Sequence, residues 1–362
     1  MAGSIPQADR SQPIRALVVD DSLFFRTRIT RILNADPELQ VVGHAADGRE
    51  AVSQVRALNP DIVTMDVEMP VMDGISAVRE IMRLRPTRII MLSAHTRAGA
   101  EATLNALDAG AADFVTKTVF STDGGMHLVA RIKELVGRAP RRATPVAPPA
   151  APAKAPAPST PVAAAANPIP QRFLAGRQVL AIGASTGGPA LIANLLAAVP
   201  ADFPCPILIA QHMPGTFTEC FAARLDRACA LSVQEAKPGD VLAPGKVFIA
   251  PGGRQTTVGG DAMRAVLTVS DAGDYLYKPS VDVMFTSVAA VFGGSVLALI
   301  LTGMGSDGVE GGRLLKARGA EIWAQDEASS VVFGMPMVAI KAGIVDRVLS
   351  AEELRARLAS AG

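Results

Sequence analysis

The stretch VLAIGASTGG at 179–188 decides the fold of the C-terminal half of the chain. Its first residues, VLAIG, form a continuous apolar run, which is typical of a strand buried on both faces of a parallel sheet. The glycines that follow permit a sharp turn, and the run at 188–198 has the length and apolar content of a helix. Ser185 therefore lies at the carboxyl end of a strand, where open α/β sheets bind their ligands.

Two further reactive side chains follow apolar runs in the same half. His212 comes after PILIA at 206–210, and Asp307 comes after SVLALI at 295–300, in a glycine-rich loop. Because the carboxyl ends of parallel strands share one edge of a sheet, we expect the three side chains to lie close together. A hydroxyl, an imidazole and a carboxylate at one place predict a serine hydrolase. Ser185 is the expected nucleophile, His212 the general base and Asp307 the orienting acid.

The surroundings of these residues favour a hydrolase but leave alternatives open. His212 is the only histidine in 171–362, and GASTG has the G-x-S-x-G spacing of a nucleophile elbow. The N–H groups of the helix that begins after Gly188 can stabilise an oxyanion. However, the chain order Ser, His, Asp differs from that of lipase-like α/β hydrolases. One alternative is that GASTGG is a dinucleotide-binding turn. Such a site requires an acidic residue at the end of the second strand, where this chain has Gln211. A purely structural glycine turn, with His212 in the core, also remains open.

The N-terminal half alternates apolar runs with amphipathic helical runs, which predicts five strands and five helices in a doubly wound parallel sheet. Polar side chains end four of these strands, namely Asp20, Asp21, Asp66, Ser93 and Lys117. Three carboxylates at one edge repel each other unless a cation lies among them, and oxygen ligands suit Mg²⁺, so Asp20, Asp21 and Asp66 are the candidate metal ligands. The lysine and the hydroxyl can hold the oxygens of a phosphoryl group, with Asp66 as its acceptor.

The patterns of the second half predict another doubly wound parallel α/β domain, which is Rossmann-like, whereas the sheet predicted for the first half is flavodoxin-like. Strands are expected at 178–183, 206–211, 247–250, 264–269, 295–301 and 320–324, and helices at 188–198, 217–229, 280–292, 308–318, 335–342 and 351–360. Between the halves, residues 139–170 contain 12 alanines and 10 prolines, which predicts an extended linker. The predicted domains are therefore 14–138 and 171–362.

Composition narrows the function classes. The formal net charge is +1 and neither half is strongly basic, so we expect no nucleic-acid partner. The three cysteines are too few and odd in number for a disulfide framework, which favours a reducing compartment. The first residues lack a signal pattern, and no apolar run approaches the length of a membrane span. The expectation is a cytoplasmic protein that does not insert into a membrane.

The motifs of the first half resemble the receiver domain of two-component response regulators. VVDDS, MDVEMPVMDG, LSAHT and FVTK are each close to strand-end motifs of that family. The resemblance implies that Asp20 and Asp21 hold Mg²⁺ and that a histidine kinase phosphorylates Asp66. It also implies that Ser93 is the switch hydroxyl, Phe114 the switch aromatic and Lys117 a contact of the phosphoryl group. Thr118 departs from the pattern, because that family usually has proline after the lysine.

The order receiver, linker, GASTGG, QHMP, TGMGSDG and AQDEASSVVFGMP resembles the chemotaxis protein-glutamate methylesterase family (CheB-type). That resemblance implies a triad of Ser185, His212 and Asp307, with the backbone N–H groups of Met304 and Thr186 as oxyanion donors. The implied substrates are glutamate γ-methyl esters on chemoreceptors, cleaved to glutamate and methanol, and receptor glutamines, which are deamidated. No cofactor is implied for the ester chemistry.

Two function classes follow from these observations. The first is a methylesterase and glutaminase that phosphorylation activates. The expected mechanism is that the unphosphorylated receiver covers the mouth around Ser185 and that phosphorylation weakens this cover. The second class is a regulatory module whose C-terminal domain binds a partner without chemistry. Methanol release from methylated receptors distinguishes the two.

Overall fold

The computed structural model describes residues 12–122, 124–137, 174–271 and 273–361. The predicted linker at 139–170 lies outside the described residues. In the described ranges the chain forms two α/β domains that pack against each other, with the reactive side chains named above at the carboxyl ends of their strands.

The N-terminal domain is a five-stranded parallel sheet in the order β2-β1-β3-β4-β5. Its strands are β1 (Ile14–Val19), β2 (Leu39–Ala45), β3 (Ile62–Asp66), β4 (Arg88–Ser93) and β5 (Asp113–Thr116). Its helices are α1 (Leu23–Asn34), α2 (Gly48–Leu58), α3 (Gly74–Leu84), α4 (Arg97–Asp108), the short α5 (Val119–Thr122) and α6 (Met126–Leu135). Alternate residues of β1 enter different cores, Leu17 on one face of the sheet and Val18 on the other, so helices cover both faces.

The C-terminal domain is built on a seven-stranded sheet in the order β14-β13-β12-β6-β7-β9-β8, with every pair parallel. These strands are β6 (Val179–Ala184), β7 (Ile207–Gln211), β8 (Ser232–Glu235), β9 (Lys246–Ile249), β12 (Val296–Ile300), β13 (Glu321–Gln325) and β14 (Arg347–Leu349). The helices are α7 (Gly188–Leu196), α8 (Gly215–Ala228), α9 (Val281–Phe292), α10 (Val309–Ala317), α11 (Met335–Lys341) and α12 (Ala351–Ala359). The three strands that precede the reactive residues, β12, β6 and β7, are neighbours at the centre of the sheet.

A separate antiparallel hairpin joins β10 (Gln255–Asp261) to β11 (Arg264–Ser270). The strand predicted at 264–269 is present as β11, but it lies in this hairpin and not in the parallel sheet. Three strands were not predicted from the sequence. β8 and β14 are short edge strands, and β10 contains two glycines, which lower strand propensity. No helix in the described ranges combines the length and apolarity that a membrane crossing requires.

The two domains meet where α4 of the first faces α8 of the second. The Phe114 ring stacks on the Phe217 ring with centroids 4.4 Å apart and an angle of 13° between their planes. At the rim, Arg224 pairs with Asp108, and Arg97 pairs with Glu219 at 3.0 Å. One apolar cluster includes buried residues of both domains, so the interface is continuous with the two cores.

Candidate active site

Ser185 lies directly after β6, held by backbone hydrogen bonds on two sides. Its N–H donates to the Thr302 carbonyl at 3.0 Å, and its carbonyl accepts from the Gly188 N–H at 2.8 Å. The loop after β12 packs so closely on it that a Cβ at Gly303 would lie 2.7 Å from the Ser185 Cβ. The serine is only 3% exposed. This fixed backbone sets the position of a buried hydroxyl on the wall of a cavity.

His212 and Asp307 are in direct contact. The imidazole Nε2 lies 2.8 Å from Asp307 Oδ2, and both side chains are buried. Because Nε2 is engaged, Nδ1 is the ring nitrogen left for proton transfer, and this buried atom has no hydrogen-bond partner among the described residues. Ser185 and His212 line the same cavity, but the structure shows no hydrogen bond between them.

Asp307 is held as an anion by the start of α9. The Ser280 hydroxyl and the Asp282 N–H donate to Oδ1 at 2.9 Å each, and the Val281 N–H donates to Oδ2 at 2.7 Å. Burial by itself would raise its pKa, but the contact with His212 and these donors lower the pKa below its ordinary value. A carboxylate that stays charged can stabilise an imidazolium beside it.

Three residues of the site were not identified as functional from the sequence. Gln211 is buried and donates through Nε2 to the Ser185 carbonyl at 2.8 Å, which ties β7 to the loop after β6. The Tyr277 ring stacks on the imidazole of His212. Burial raises the pKa of Asp282 to about 6, and the charge of Asp307 adds to the rise. Of the three, only Gln211 could have been singled out from the sequence, because it directly precedes His212.

The two predicted oxyanion donors lie near Ser185 in different ways. Thr186 is buried, and its hydroxyl donates to Asp113 of the N-terminal domain at 3.0 Å. Met304 follows Gly303, which packs on Ser185. Among the described residues, neither backbone N–H has a hydrogen-bond acceptor.

The cavity beside Ser185 lies between the two domains and has a volume of about 280 Å³. One wall is formed by the C-terminal domain, with Ser185, Gln211 and His212, and the other by β5, α5 and α6 of the N-terminal domain. Asp113 closes this second wall through its bond to Thr186 and an ion pair with Arg131 at 2.9 Å. The N-terminal domain therefore covers the cavity that contains Ser185.

The second cluster predicted from the sequence lies at the edge of the N-terminal sheet. Asp20, Asp21 and Asp66 each place a carboxylate oxygen within 4.8 Å of the others. Lys117 Nζ lies 2.9 Å from Asp20 Oδ2 and 2.8 Å from Asp66 Oδ2. Burial raises the pKa of Asp66 to about 6 despite the lysine. One lysine ammonium does not balance the charge of three carboxylates. Clustered oxygen ligands with this remaining negative charge fit a hard divalent cation.

Of the three predicted switch residues, Lys117 contacts this cluster, and the contacts of Ser93 and Phe114 are with other residues. The Ser93 hydroxyl lies 3.1 Å from the Gly99 carbonyl and 3.2 Å from the Ala94 carbonyl as acceptors, and it accepts from the Thr103 hydroxyl at 2.7 Å, so two of its three partners belong to α4. Phe114 packs on Phe217 across the interface. The hydroxyl of Thr118, which replaces the expected proline, lies 2.7 Å from that of Thr116.

Both halves of the chain match models of known protein families. Residues 180–358 match the family model of the CheB methylesterase, and residues 16–131 match that of the response regulator receiver domain. A protein-glutamate methylesterase/protein-glutamine glutaminase of Alkalilimnicola ehrlichii is 47% identical, and the alignment covers 96% of this chain and 99% of that protein. The chain belongs to this methylesterase family.

Two further relatives lie in the same family. A protein-glutamate methylesterase/protein-glutamine glutaminase of Vibrio parahaemolyticus is 47% identical over 95% of this chain and 98% of that protein. The crystal structure of the CheB methylesterase catalytic domain of Thermotoga maritima has 35% sequence identity and covers 51% of this chain and 97% of that chain, with a TM-score of 0.49.

Family membership confirms the prediction of a protein-glutamate methylesterase and glutaminase with a receiver domain. The sheets described above confirm two parallel α/β domains. The boundaries 14–138, 139–170 and 171–362 stay predictions, as do the roles of the individual site residues. A receiver domain implies Mg²⁺ for phosphorylation and a kinase as phosphodonor, and the methylesterase function implies chemoreceptor substrates in general terms.

Proposed function

We propose that the chain hydrolyses glutamate γ-methyl esters on chemoreceptors to glutamate and methanol, deamidates receptor glutamines, and is activated by phosphorylation of Asp66. The observation that carries this proposal is the contact between His212 and Asp307 on the wall of the cavity that contains Ser185. The names of the relatives, protein-glutamate methylesterase/protein-glutamine glutaminase, supply the substrate class.

In the proposed reaction the Ser185 oxygen attacks the ester carbonyl carbon while its proton passes to His212 Nδ1. Asp307 accepts a hydrogen bond from the Nε2–H, stays charged and stabilises the imidazolium. The N–H groups of Thr186 and Met304 donate to the carbonyl oxygen as it becomes an oxyanion. The tetrahedral intermediate expels methanol, which takes the proton from Nδ1, and leaves a glutamyl ester on Ser185.

Water then completes the cycle at the same residues. His212 Nδ1 takes a proton from the attacking water, and the second tetrahedral intermediate releases glutamate as the Nδ1 proton passes back to the Ser185 oxygen. With a glutamine substrate the first leaving group is ammonia, and the other steps are unchanged. The absence of a Ser185–His212 hydrogen bond is compatible with this scheme, because catalytic hydrogen bonds are often long without substrate.

The lining of the cavity supports a proposed movement of the receiver. Residues of β5, α5 and α6 form the wall opposite Ser185, and Asp113 bonds to Thr186, directly after the serine. A receptor helix is about 10–12 Å across, so it needs the surface that these receiver residues occupy in order to bring a glutamyl side chain to Ser185. The arrangement described here is therefore the proposed inactive state.

Phosphorylation is proposed to act on the interface through β5. Asp20, Asp21 and Asp66 would hold Mg²⁺, which supplies charge compensation when Asp66 carries a phosphoryl group of ~1.5–2 negative charges. Lys117 is placed to contact that group because it already contacts Asp66. It lies three residues after Phe114, whose ring packs on the C-terminal domain. A movement of Ser93 toward the phosphoryl group would release its bonds to α4, the helix that faces α8.

Partners and location follow from the same chemistry. We propose a chemotaxis histidine kinase as phosphodonor, methyl-accepting chemoreceptors as substrates and the cytoplasm as location. All three cysteines are free thiols, which suits a reducing compartment.

The test is methanol release from a methylated receptor fragment, measured for the full chain with and without a small phosphodonor and Mg²⁺. Wild type is expected to release methanol faster with the donor, and Ser185→Ala is expected to release none above background while still binding the fragment. Turnover by Ser185→Ala would place the nucleophile elsewhere. Binding without turnover by wild type would favour a regulatory module.

A further inference from the structure

We infer that Tyr277 is a positioning residue for the general base, and that the β10–β11 hairpin holds it in place. The inference rests on the proposed function, since it assigns His212 the role of base. It comes from the aromatic contact in the site, where the Tyr277 and His212 rings are parallel within 4°, with centroids 4.3 Å apart. Parallel rings at this separation are in van der Waals contact over their faces.

The backbone of Tyr277 is fixed by a buried amide of the hairpin. Gln255, the first residue of β10, donates through Nε2 to the Tyr277 carbonyl at 2.7 Å and accepts the Ser280 N–H at 2.8 Å through Oε1. The Lys278 carbonyl accepts from the Gly253 N–H at 2.9 Å. Gln255 is only 1% exposed, so the segment from Tyr277 to Ser280 is tied to a buried point.

The side chain of Tyr277 also touches the loop that carries Met304, one of the two proposed oxyanion donors. The Tyr277 hydroxyl packs on Gly305 so closely that a Cβ there would lie 2.7 Å from it. Gly305 directly follows Met304 and lies two residues before Asp307. Tyr277 therefore contacts the His212 imidazole with its ring and, with its hydroxyl, the turn that connects Met304 to Asp307.

The geometry points to two effects on His212. The χ2 torsion of histidine is broad, so one hydrogen bond at Nε2 leaves the ring free to tilt about that contact. A parallel ring on one face restricts this tilt and keeps Nδ1 directed at the cavity. The negative face of the phenol ring also favours the positive imidazolium that forms when His212 takes the proton of Ser185. Both effects act on the chemical step rather than on substrate binding.

The experiment compares the full-length variants Tyr277→Leu, Tyr277→Phe and Tyr275→Leu with wild type in the methanol-release assay with phosphodonor and Mg²⁺. Tyr275 lies two residues away and is 53% exposed, so Tyr275→Leu makes the same chemical change in the same loop without touching the imidazole. Tyr277→Leu is expected to lower kcat by about 10- to 100-fold, the range for a small displacement of a catalytic group, with KM changed less than about threefold. Tyr277→Phe keeps the ring and is expected to retain at least about half of kcat, and Tyr275→Leu is expected to match wild type.

Two outcomes overturn the inference. One is a Tyr277→Leu protein whose kcat stays within about twofold of wild type, and the other is a Tyr277→Phe protein as slow as Tyr277→Leu, since the ring would then not carry the effect. Tyr277→Met is made alongside, so that a leucine variant that fails to fold does not leave the question without a readout. If wild type itself releases no methanol, the proposed function has failed and not the role of Tyr277.

Discussion

Removing the aromatic stack between the domains should activate the unphosphorylated enzyme. Phe114 is 8% exposed and its ring stacks on Phe217, which is fully buried. Burial of a phenylalanine stabilises by about 1.5–3 kcal/mol, and an aromatic pair adds about 0.5–1.5 kcal/mol. Part of the burial of Phe114 is inside its own domain, so Phe114→Ala should weaken the covered state by ~2 kcal/mol. At about 1.4 kcal/mol per factor of ten, that shifts the open-to-covered ratio by roughly 30-fold.

The assay is methanol release from a methylated receptor fragment without phosphodonor. Phe114→Ala is expected to raise this basal rate by about 10- to 30-fold and to reduce the further stimulation by phosphodonor and Mg²⁺ correspondingly. Phe24→Ala is the control, because Phe24 belongs to the same domain and is 64% exposed, on α1. Retained Mg²⁺-dependent phosphorylation shows that the variant receiver is folded. A folded Phe114→Ala protein with the basal rate and stimulation of wild type would refute the reasoning.

Three other predictions use the remaining parts of the structure. His212→Gln should lower kcat by about 10²- to 10⁴-fold, the usual loss of a general base, and a loss below tenfold in the methanol assay would contradict its role. Arg224→Ala removes the ion pair with Asp108 at the rim of the interface, so it should raise the basal rate only a few-fold, since exposed pairs contribute about 0.2–1 kcal/mol; a rise as large as that of Phe114→Ala would be inconsistent. Asp66→Asn should abolish stimulation by phosphodonor. Because burial raises the pKa of Asp66 from 3.8 to about 6, the folded state binds more protons than the unfolded state between those values. Without Mg²⁺, stability should therefore fall as pH rises through that window. Asp66→Asn should flatten this fall in thermal unfolding curves, and an unchanged pH dependence would contradict the assignment.

The central strands and their reactive residues could be predicted because each depends on local sequence. Buried parallel strands form continuous apolar runs, and the residue after such a run lies at the edge of the sheet. That reasoning placed Ser185, His212 and Asp307 at one edge, where the structure brings His212 and Asp307 into contact and puts Ser185 on the same cavity. The acidic cluster around Asp66 was predictable for the same reason.

The residues that escaped prediction depend on contacts between distant segments. Tyr277 stacks on His212 and its carbonyl accepts from Gln255 of the hairpin, and nothing in the sequence around these residues indicates either contact. Asp282 acquires its raised pKa from burial beside Asp307, which follows from how α9 meets the loop after β12. Phe114 was identified through resemblance, but its stacking partner Phe217 depends on how the domains dock.

The central claim is that the receiver covers a reactive Ser185 and that phosphorylation uncovers it. The most direct measurement is the rate at which a fluorophosphonate labels Ser185 in the full chain, followed by peptide mass spectrometry with and without phosphodonor and Mg²⁺. We expect slow labelling of Ser185 in the unphosphorylated protein and faster labelling of the same residue once Asp66 is phosphorylated. Equal rates in the two states, or a label on another residue, would contradict it.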